Sequence, residues 1–258
     1  MKITNKAGIP DSLFRYLSQD LYDYQDKADS YSATELLNPV QIIVLRRRHW
    51  ENIEIDAIDQ TWKLLGSGVH AILEKEKGIE KIERLKWKVM DKEVSGRWDR
   101  IFNNEITDFK VTSAWTVTYG SRVEEWKMQL SIYRWLYYKV KQKLLNDTGY
   151  IDALLRDWTG KNLDRSNYPK ANAVQIPIEL CDLEDTEEFI TNKIKLIIKA
   201  EKMTDTQLLS CTDSERWYNK EKRIYNRCNK YCDVSAFCQQ LKREKEIESI
   251  EDAEELFV

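Results

Sequence analysis

The pattern of apolar and polar positions predicts helices and strands that alternate along the chain. Residues 61–77 and 122–145 have apolar side chains at helical spacing on one face. These side chains are Trp62, Leu65, Val69 and Ile72 in the first segment and Trp126, Leu130, Tyr133, Tyr137, Val140 and Leu144 in the second. Strands are predicted within 85–111, at 149–157 and at 173–179, and a further helix at about 184–203. This order indicates an α/β protein with a mixed central sheet flanked by helices.

Turn residues and patterning also predict how the chain is divided. Asp91-Lys92 and Asn103-Asn104 are typical of two-residue hairpin turns, so residues 85–111 are expected to form a three-stranded meander. The predicted parts of the chain are a helical N-terminal region (1–60), a core domain (61–205) and a C-terminal extension (206–258). The extension ends in an acidic stretch, 244–255, that reads as a solvated helix or tail.

Composition limits the partners of the chain. Lys+Arg 41 against Asp+Glu 44 gives a net charge of -3, so any contact with nucleic acid has to use local patches. The run Arg46-Arg47-Arg48-His49-Trp50 is such a patch or, alternatively, a solvated helix face. Because no apolar run is long enough to span a bilayer and the chain does not start with an apolar leader, we expect a cytoplasmic protein without a membrane partner.

Two acidic residues and a lysine form the first candidate for chemistry. If Asn103-Asn104 is a two-residue loop, Asp99 lies opposite Asp108 on the paired strands. Facing carboxylates repel unless a cation binds between them or one pKa is raised, and Mg²⁺ or Mn²⁺ suits such a set. Lys110 shares a face with Asp108 because strand side chains alternate, and the alternative is a surface ion pair between these two residues.

Two predicted helices carry further polar side chains that could belong to the same metal site. In the helix at 61–77, His70 and Glu74 are four residues apart and share a face, and an imidazole adds a third ligand to two carboxylates. Gln129 and Tyr133 are again four residues apart, with Gln129 at the edge of the apolar stripe. A buried amide needs a hydrogen-bonding partner, so Gln129 is expected to bond to a polar group of the site.

Four segments occur in a characteristic order along the chain. They are Gly68-Val69-His70-Ala71-Ile72-Leu73-Glu74, Gly96-Arg97-Trp98-Asp99, Asp108-Phe109-Lys110 and Gln129-Leu130-Ser131-Ile132-Tyr133. In order and spacing they resemble the H-x-x-x-E, G-x-x-D, D-x-K and Q-x-x-x-Y motifs of RecB-like PD-(D/E)XK nucleases. The resemblance covers roughly residues 60 to 140 and implies a restriction-endonuclease-like core.

The resemblance also implies a role for each matched residue. The divalent metal would be bound by His70, Asp99, Asp108 and the backbone carbonyl of Phe109. Asp99, Asp108, Lys110, Gln129 and Tyr133 would form the catalytic set. Lys110 would assist the attacking water, while Gln129 and Tyr133 would hold DNA or orient Lys110.

The five cysteines all lie after residue 180, and four of them are closely spaced. These four are Cys211, Cys228, Cys232 and Cys238. Such a set of soft ligands suits zinc or a 4Fe-4S cluster. The region resembles the C-terminal iron-sulfur segment of RecB-like nucleases, whose last gap is also x5. It departs from it in the x3 first gap and in having no cysteine before Cys181, so Cys211 is the preferred fourth ligand and Cys181 the alternative.

The function expected from these features is metal-dependent DNA hydrolysis, with an exonuclease acting on ends or single strands favoured. The resemblance suggests recombination, repair or phage replication. The chain has no G-x-x-x-x-G-K-[ST] loop, so a helicase or recombination partner would be separate. Trp98 and Trp115 are candidates for stacking on unpaired bases. Two alternatives are a catalytically silent nucleic-acid-binding scaffold and a zinc-dependent interaction module.

Overall fold

The computed structural model describes residues 1–19, 29–73, 75 and 83–255. Glu74 and the end of the predicted helix at 61–77 therefore lie outside the described residues. The helices are α1 (Asp11–Leu17), α2 (Ala33–Leu36), α3 (Val40–Arg48), α4 (Thr61–Leu73), α5 (Ala114–Thr118), α6 (Val123–Lys141), α7 (Leu183–Glu201), α8 (Asn226–Lys230) and α9 (Gln239–Glu255). Among the described residues, no helix is long and apolar enough to cross a membrane.

The strands are short at the two ends of the chain and longer in its middle. They are β1 (Lys2–Thr4), β2 (Ser30–Ser32), β3 (Glu54–Asp56), β4 (Leu85–Val89), β5 (Lys92–Gly96), β6 (Arg100–Phe102), β7 (Glu105–Thr112), β8 (Thr148–Leu155), β9 (Ala173–Glu179), β10 (Tyr218–Asn219) and β11 (Ile224–Tyr225). The first 60 residues, predicted to be mostly helical, contain α1, α2 and α3 and three short strands in the described part of the chain. Of these strands, β1 and β3 pair with each other through residues such as Ile3 and Ile55.

Internal contacts group the chain into two units. The terminal unit consists of Met1–Ser18, Asn38–Ile58 and Lys193–Val258, and the central unit of Gln19–Leu37 and Asp59–Asn192. These boundaries differ from the three parts 1–60, 61–205 and 206–258, which remain a prediction about domain organisation.

The central unit contains two separate sheets. One has the order β6-β7-β8-β9, with β7 and β8 parallel and the other neighbours antiparallel. The other has the order β2-β5-β4. The prediction of a mixed α/β fold is confirmed at this level. The three-stranded meander is wrong, since β4 and β5 form a hairpin in one sheet while β6 and β7 form a hairpin in the other.

The two hairpin turns were predicted with different success. Phe102 pairs with Glu105, and both residues between them have positive φ (Asn103 49°, Asn104 65°), as a type I′ turn requires. The first turn is one residue earlier than predicted. Val89 pairs with Lys92, so the turn residues are Met90 and Asp91.

Helix α6 supplies the main apolar surface of the central unit. It packs against β4, β5, β7 and β9, so both sheets bury side chains on it. Four members of the predicted stripe are buried, namely Trp126, Leu130, Tyr133 and Tyr137. Val140 is more exposed, and Leu144 lies beyond the end of the helix at Lys141.

Helix α4 differs from α6 because its apolar face is exposed. Trp62 is 58% exposed and Ile72 69% exposed, and the helix contains no buried residue in the described chain. Helical spacing of apolar residues therefore identified a helix at this position without identifying a core.

The basic run at the end of α3 holds the terminal unit together. Arg46 donates two hydrogen bonds to the carboxylate of Asp233, at 2.6 and 2.9 Å. Arg48 donates to the carbonyls of Ala200 and Glu201 at the end of α7, where orphan carbonyls favour a cation. These two guanidinium groups therefore bind groups of the terminal unit, and a contact of the run with nucleic acid stays a prediction.

Candidate metal and nuclease site

A histidine and an aspartate meet at the edge of the four-stranded sheet. Nδ1 of His70, on α4, lies 2.9 Å from Oδ1 of Asp99. The other oxygen of Asp99 accepts a hydrogen bond of 2.6 Å from the backbone N–H of Phe109 on β7. The hydrogen bond to Asp99 raises the pKa of His70, against the opposing effect of burial. This carboxylate therefore connects α4 to β7.

Asp108 and Lys110 project from the same side of β7, as predicted. Their charged groups are 2.5 Å apart, and Asp108 is only 3% exposed. Burial raises the pKa of Asp108 to about 6, with Asp99 adding to the rise and Lys110 opposing it. Its Oδ2 atom is buried and accepts no well-directed hydrogen bond within the described residues, despite the nearby ammonium. A buried carboxylate oxygen favours a cation, and the Lys110 ammonium, 2.5 Å from Oδ2, supplies one in this structure.

A buried amide on α6 completes this network. Oε1 of Gln129 accepts a hydrogen bond of 3.1 Å from Nζ of Lys110. Its Nε2 donates to the hydroxyl of Tyr133 at 2.9 Å and, more weakly, to Asp108 at 3.4 Å. Burial raises the pKa of Tyr133, so this hydroxyl stays neutral. The i, i+4 spacing of Gln129 and Tyr133 thus orients an amide that restrains the lysine and contacts the aspartate.

The structure places six of the predicted side chains in two neighbouring groups of the central unit, a His70–Asp99 pair and a group of four around Asp108, which are linked by the hydrogen bond from the Phe109 N–H to Asp99. These are His70, Asp99, Asp108, Lys110, Gln129 and Tyr133. The predicted register is confirmed for the three pairs from Arg100 to Phe102, but strand pairing ends at Arg100, so the predicted pair of Asp99 with Asp108 does not form. Asp99 instead reaches the backbone of Phe109, and the role of the Phe109 carbonyl stays a prediction.

The glycine of the G-x-x-D segment is explained by packing. A Cβ atom on Gly96 would lie 2.7 Å from Leu136 and 2.8 Å from Tyr133, both on α6. The absence of a side chain therefore lets β5 approach the helix that carries the amide of the site.

We expect Gly96→Ala to lower the free energy of unfolding by about 1–3 kcal/mol, because α6 has to shift away from β5. Urea unfolding of both proteins measures the difference. The matched control is Gly66→Ala in α4, where a Cβ would have no described atom within 4 Å. The control should be at least as stable as the wild type, since alanine favours a helix. Equal destabilisation by both substitutions would contradict the packing explanation.

Long-range contacts around this site had no signal in the sequence. The Asp157 carboxylate, just after β8, accepts hydrogen bonds from Ser113 Oγ at 2.6 Å and from the Ala114 N–H at 2.7 Å. This ties together the segments that follow two parallel strands. The partners are more than forty residues apart, so no local motif could have identified them.

Four of the five cysteines line one cavity of the terminal unit. They are Cys211, Cys228, Cys232 and Cys238. Two of the sulfurs accept hydrogen bonds, Cys228 from Nε of Arg216 at 3.3 Å and Cys238 from the N–H of Leu241 at 3.5 Å. Cys181 belongs to the central unit, where its N–H donates to the hydroxyl of Ser131.

Neither the aspartate-histidine site nor the cysteine cavity has its side chains arranged as a complete set of metal ligands. Within the described part of the chain, no three His, Cys, Asp or Glu side chains converge in a group that could hold a metal ion. At the first site the donors face each other, since His70 pairs with Asp99 and Asp108 with Lys110. Binding of a cation there would have to exchange these contacts.

Comparison with solved structures finds a chain of similar fold, described as the crystal structure of SSO0001. The TM-score is 0.53 at 18% sequence identity, over 88% of this chain and 94% of that chain. This likeness concerns the fold alone. No protein-family profile matches the sequence, and a search of curated proteins also finds no match. The class defined by these observations is a mixed α/β protein.

Proposed function

We propose that the protein is a metal-dependent deoxyribonuclease of the RecB-like PD-(D/E)XK type that hydrolyses phosphodiester bonds. The observation that carries this proposal is the buried Asp108, which faces Lys110 and lies beside the His70–Asp99 pair. A surface ion pair would not be buried in this way or be restrained by a buried amide. The mixed four-stranded sheet packed on α6 is compatible with a restriction-endonuclease-like core, which is part of the proposal.

The donor atoms suit Mg²⁺ or Mn²⁺. His70, Asp99, Asp108 and the backbone carbonyl of Phe109 would hold the ion, and Oδ2 of Asp108 would exchange its contact with the Lys110 ammonium for the ion. When bound, the ion would lower the pKa of a water molecule and neutralise charge on the phosphate. Because the pKa values of His70 and Asp108 are raised in the metal-free protein, protons compete with the ion more strongly than at groups with ordinary pKa values.

The remaining side chains would position the reacting groups. Lys110 is restrained on two sides, by the Asp108 carboxylate and by Oε1 of Gln129, so its ammonium group has a defined position. From there it can orient a water molecule or stabilise negative charge on a phosphate oxygen. Tyr133 fixes the amide of Gln129 through a hydrogen bond and so acts on Lys110 indirectly.

The cysteine cavity forms the second part of the proposal. We propose that Cys211, Cys228, Cys232 and Cys238 hold a 4Fe-4S cluster, with Zn²⁺ as the alternative, and that its role is structural. Hydrogen bonds donated to two of the sulfurs support this, because such bonds stabilise metal-bound thiolates. Cys181 is the weaker candidate for fourth ligand because it does not line the cavity.

The substrate proposed is DNA at ends or in single strands, in a cytoplasmic role in recombination, repair or phage replication, beside a separate helicase or recombination partner. The test is incubation of end-labelled single- and double-stranded DNA with anaerobically purified protein. We expect degradation with Mg²⁺ or Mn²⁺ and none with a chelator. DNA binding without cleavage under every metal condition would instead favour the catalytically silent scaffold.

A further inference from the structure

Aromatic and basic side chains cluster at the carboxyl ends of β7 and β8. The stacking surface, as we call it, consists of Trp62, Trp115, Tyr119, Arg156 and Arg165. All five residues belong to the central unit, and the candidate site described above does not use them.

The first part of the stacking surface is a tryptophan held by an arginine. The guanidinium of Arg156 lies over the ring of Trp62, 4.4 Å from its centroid. Trp62 is nevertheless 58% exposed, so much of its indole is accessible to a ligand. A cation over one face restrains the orientation of the ring.

The second part is a short stack of rings. Trp115 packs against the buried Tyr168, and Arg165 lies 5.2 Å from the centroid of the Trp115 ring. Tyr119 stacks on Trp115 with centroids 6.0 Å apart and an interplanar angle of 20°. The outer ring, Tyr119, is 73% exposed. A planar group could therefore extend the stack at Tyr119.

Backbone and side-chain hydrogen bonds connect the two parts. The N–H of Arg156 donates to the carbonyl of Thr112 at 3.0 Å, next to Ser113, which begins the α5 segment. The adjacent Asp157 binds Ser113 and the N–H of Ala114. The residues that follow β7 and β8 are therefore joined in one structure.

The stacking surface lies close to the candidate site along both elements that they share. Lys110 is two residues from the end of β7, which corresponds to roughly 7 Å of strand. His70 and Trp62 are eight residues apart on α4, about 12 Å along the helix axis. Such distances correspond to a few nucleotides of an unpaired strand.

The charge of the stacking surface is also suitable for a polyanion. Neither Arg156 nor Arg165 forms an ion pair with a carboxylate in the described part of the chain. The nearest acidic neighbour of Arg156 in sequence, Asp157, interacts with it electrostatically, but its carboxylate oxygens accept hydrogen bonds from Ser113 and Ala114 and form no ion pair with the guanidinium. Both guanidinium groups can therefore contact phosphates.

We propose that the stacking surface binds unpaired nucleotides of a single DNA strand next to the phosphate that is cut. Bases stack on Trp62 and Tyr119, and Arg156 and Arg165 contact the backbone phosphates. The bases of a blunt duplex remain paired and therefore cannot stack on these rings. This inference rests on the proposed nuclease function and adds a preference for single-stranded DNA.

The experiment measures binding of a fluorescent single-stranded oligonucleotide and of its blunt duplex, with chelator present so that no cleavage occurs. Trp62→Ala and Tyr119→Ala should each weaken single-strand binding by roughly fivefold to a hundredfold, the range for loss of one stacked base. Tyr119→Phe keeps the ring and should bind like the wild type. Phe102→Ala is the matched control, since Phe102 is an exposed ring under Arg100 at the other end of the β6–β7 hairpin.

Selective loss of single-strand affinity in both alanine variants, with Phe102→Ala unchanged, supports the inference. Unchanged single-strand affinity in these variants overturns it, as does an equal loss for the duplex. Binding without divalent metal separates this result from the nuclease proposal. If the protein never cleaves DNA but these variants lose single-strand affinity, the proposed function fails and the binding surface stands.

Discussion

Asp108→Asn is expected to reduce metal-dependent DNA cleavage by on the order of a thousandfold or more, because a neutral amide replaces the carboxylate at the centre of the site. Cleavage of end-labelled DNA under single-turnover conditions measures the loss. The amide has nearly the same shape as the carboxylate, so the side chain still fits between Lys110 and Gln129.

The matched control for this variant is Asp152→Asn. Asp152 lies on the neighbouring strand β8, in register with Phe109, and accepts a hydrogen bond from Gln175. It therefore shares the sheet with Asp108 without sharing its face. The control should cleave DNA at close to the wild-type rate. Comparable rates for the wild type and Asp108→Asn would remove the basis of the catalytic assignment.

The same substitution also has a predicted effect on stability. Burial raises the pKa of Asp108 from 3.8 to about 6, so the metal-free folded protein binds this proton more tightly than the unfolded chain does. The carboxylate therefore costs stability as the pH rises through this interval. At neutral pH and without metal, Asp108→Asn should be at least as stable as the wild type, as thermal unfolding would show. An inactive variant that is also stable would indicate that this aspartate serves function at the expense of the fold.

Cys232→Ser is expected to remove essentially all tightly bound iron and sulfide, or zinc, from anaerobically purified protein. One missing thiolate leaves an incomplete set around the cavity, and bound structural metal contributes folding free energy. The midpoint of thermal unfolding should therefore fall as well. Elemental analysis together with an assay for acid-labile sulfide distinguishes the two cofactors.

Cys181→Ser provides the control for the cysteine prediction. Cys181 belongs to the central unit and does not line the cavity, so its variant should retain the full metal content. Equal loss in both variants would make Cys181 a ligand and contradict the expectation that the cavity cysteines alone hold the metal. A wild-type protein without any bound metal would end the cluster proposal.

The candidate site was predictable where it depends on local periodicity. Alternation along a strand places Asp108 and Lys110 on one side of β7, and the helical repeat places Gln129 beside Tyr133. The hydrogen bond from the Phe109 N–H to Asp99 was not predicted, because it depends on where β6 begins and not on the residue pattern.

The arrangement of the sheets was less accessible to sequence reasoning. Alternating residues indicate strands but not their neighbours, so two hairpins in different sheets had the same pattern as one continuous meander. The exposure of the apolar face of α4 could not be predicted either, since the spacing of apolar residues does not distinguish a buried helix face from an exposed one. The partners of Arg46 and Arg48 lie more than 150 residues away, beyond the reach of any motif.

The hydrogen bonds from Arg48 to the carbonyls near the end of α7 have a consequence for the order in which the protein folds during synthesis. The carbonyl partner of Arg48 at Met203 is 155 residues further along the chain. At about 5–20 residues per second, the ribosome needs on the order of ten seconds to make that interval. The contacts of α3 within the terminal unit cannot form until the last quarter of the chain has been synthesised. The residues of the central unit are synthesised almost continuously, so the central unit can fold first.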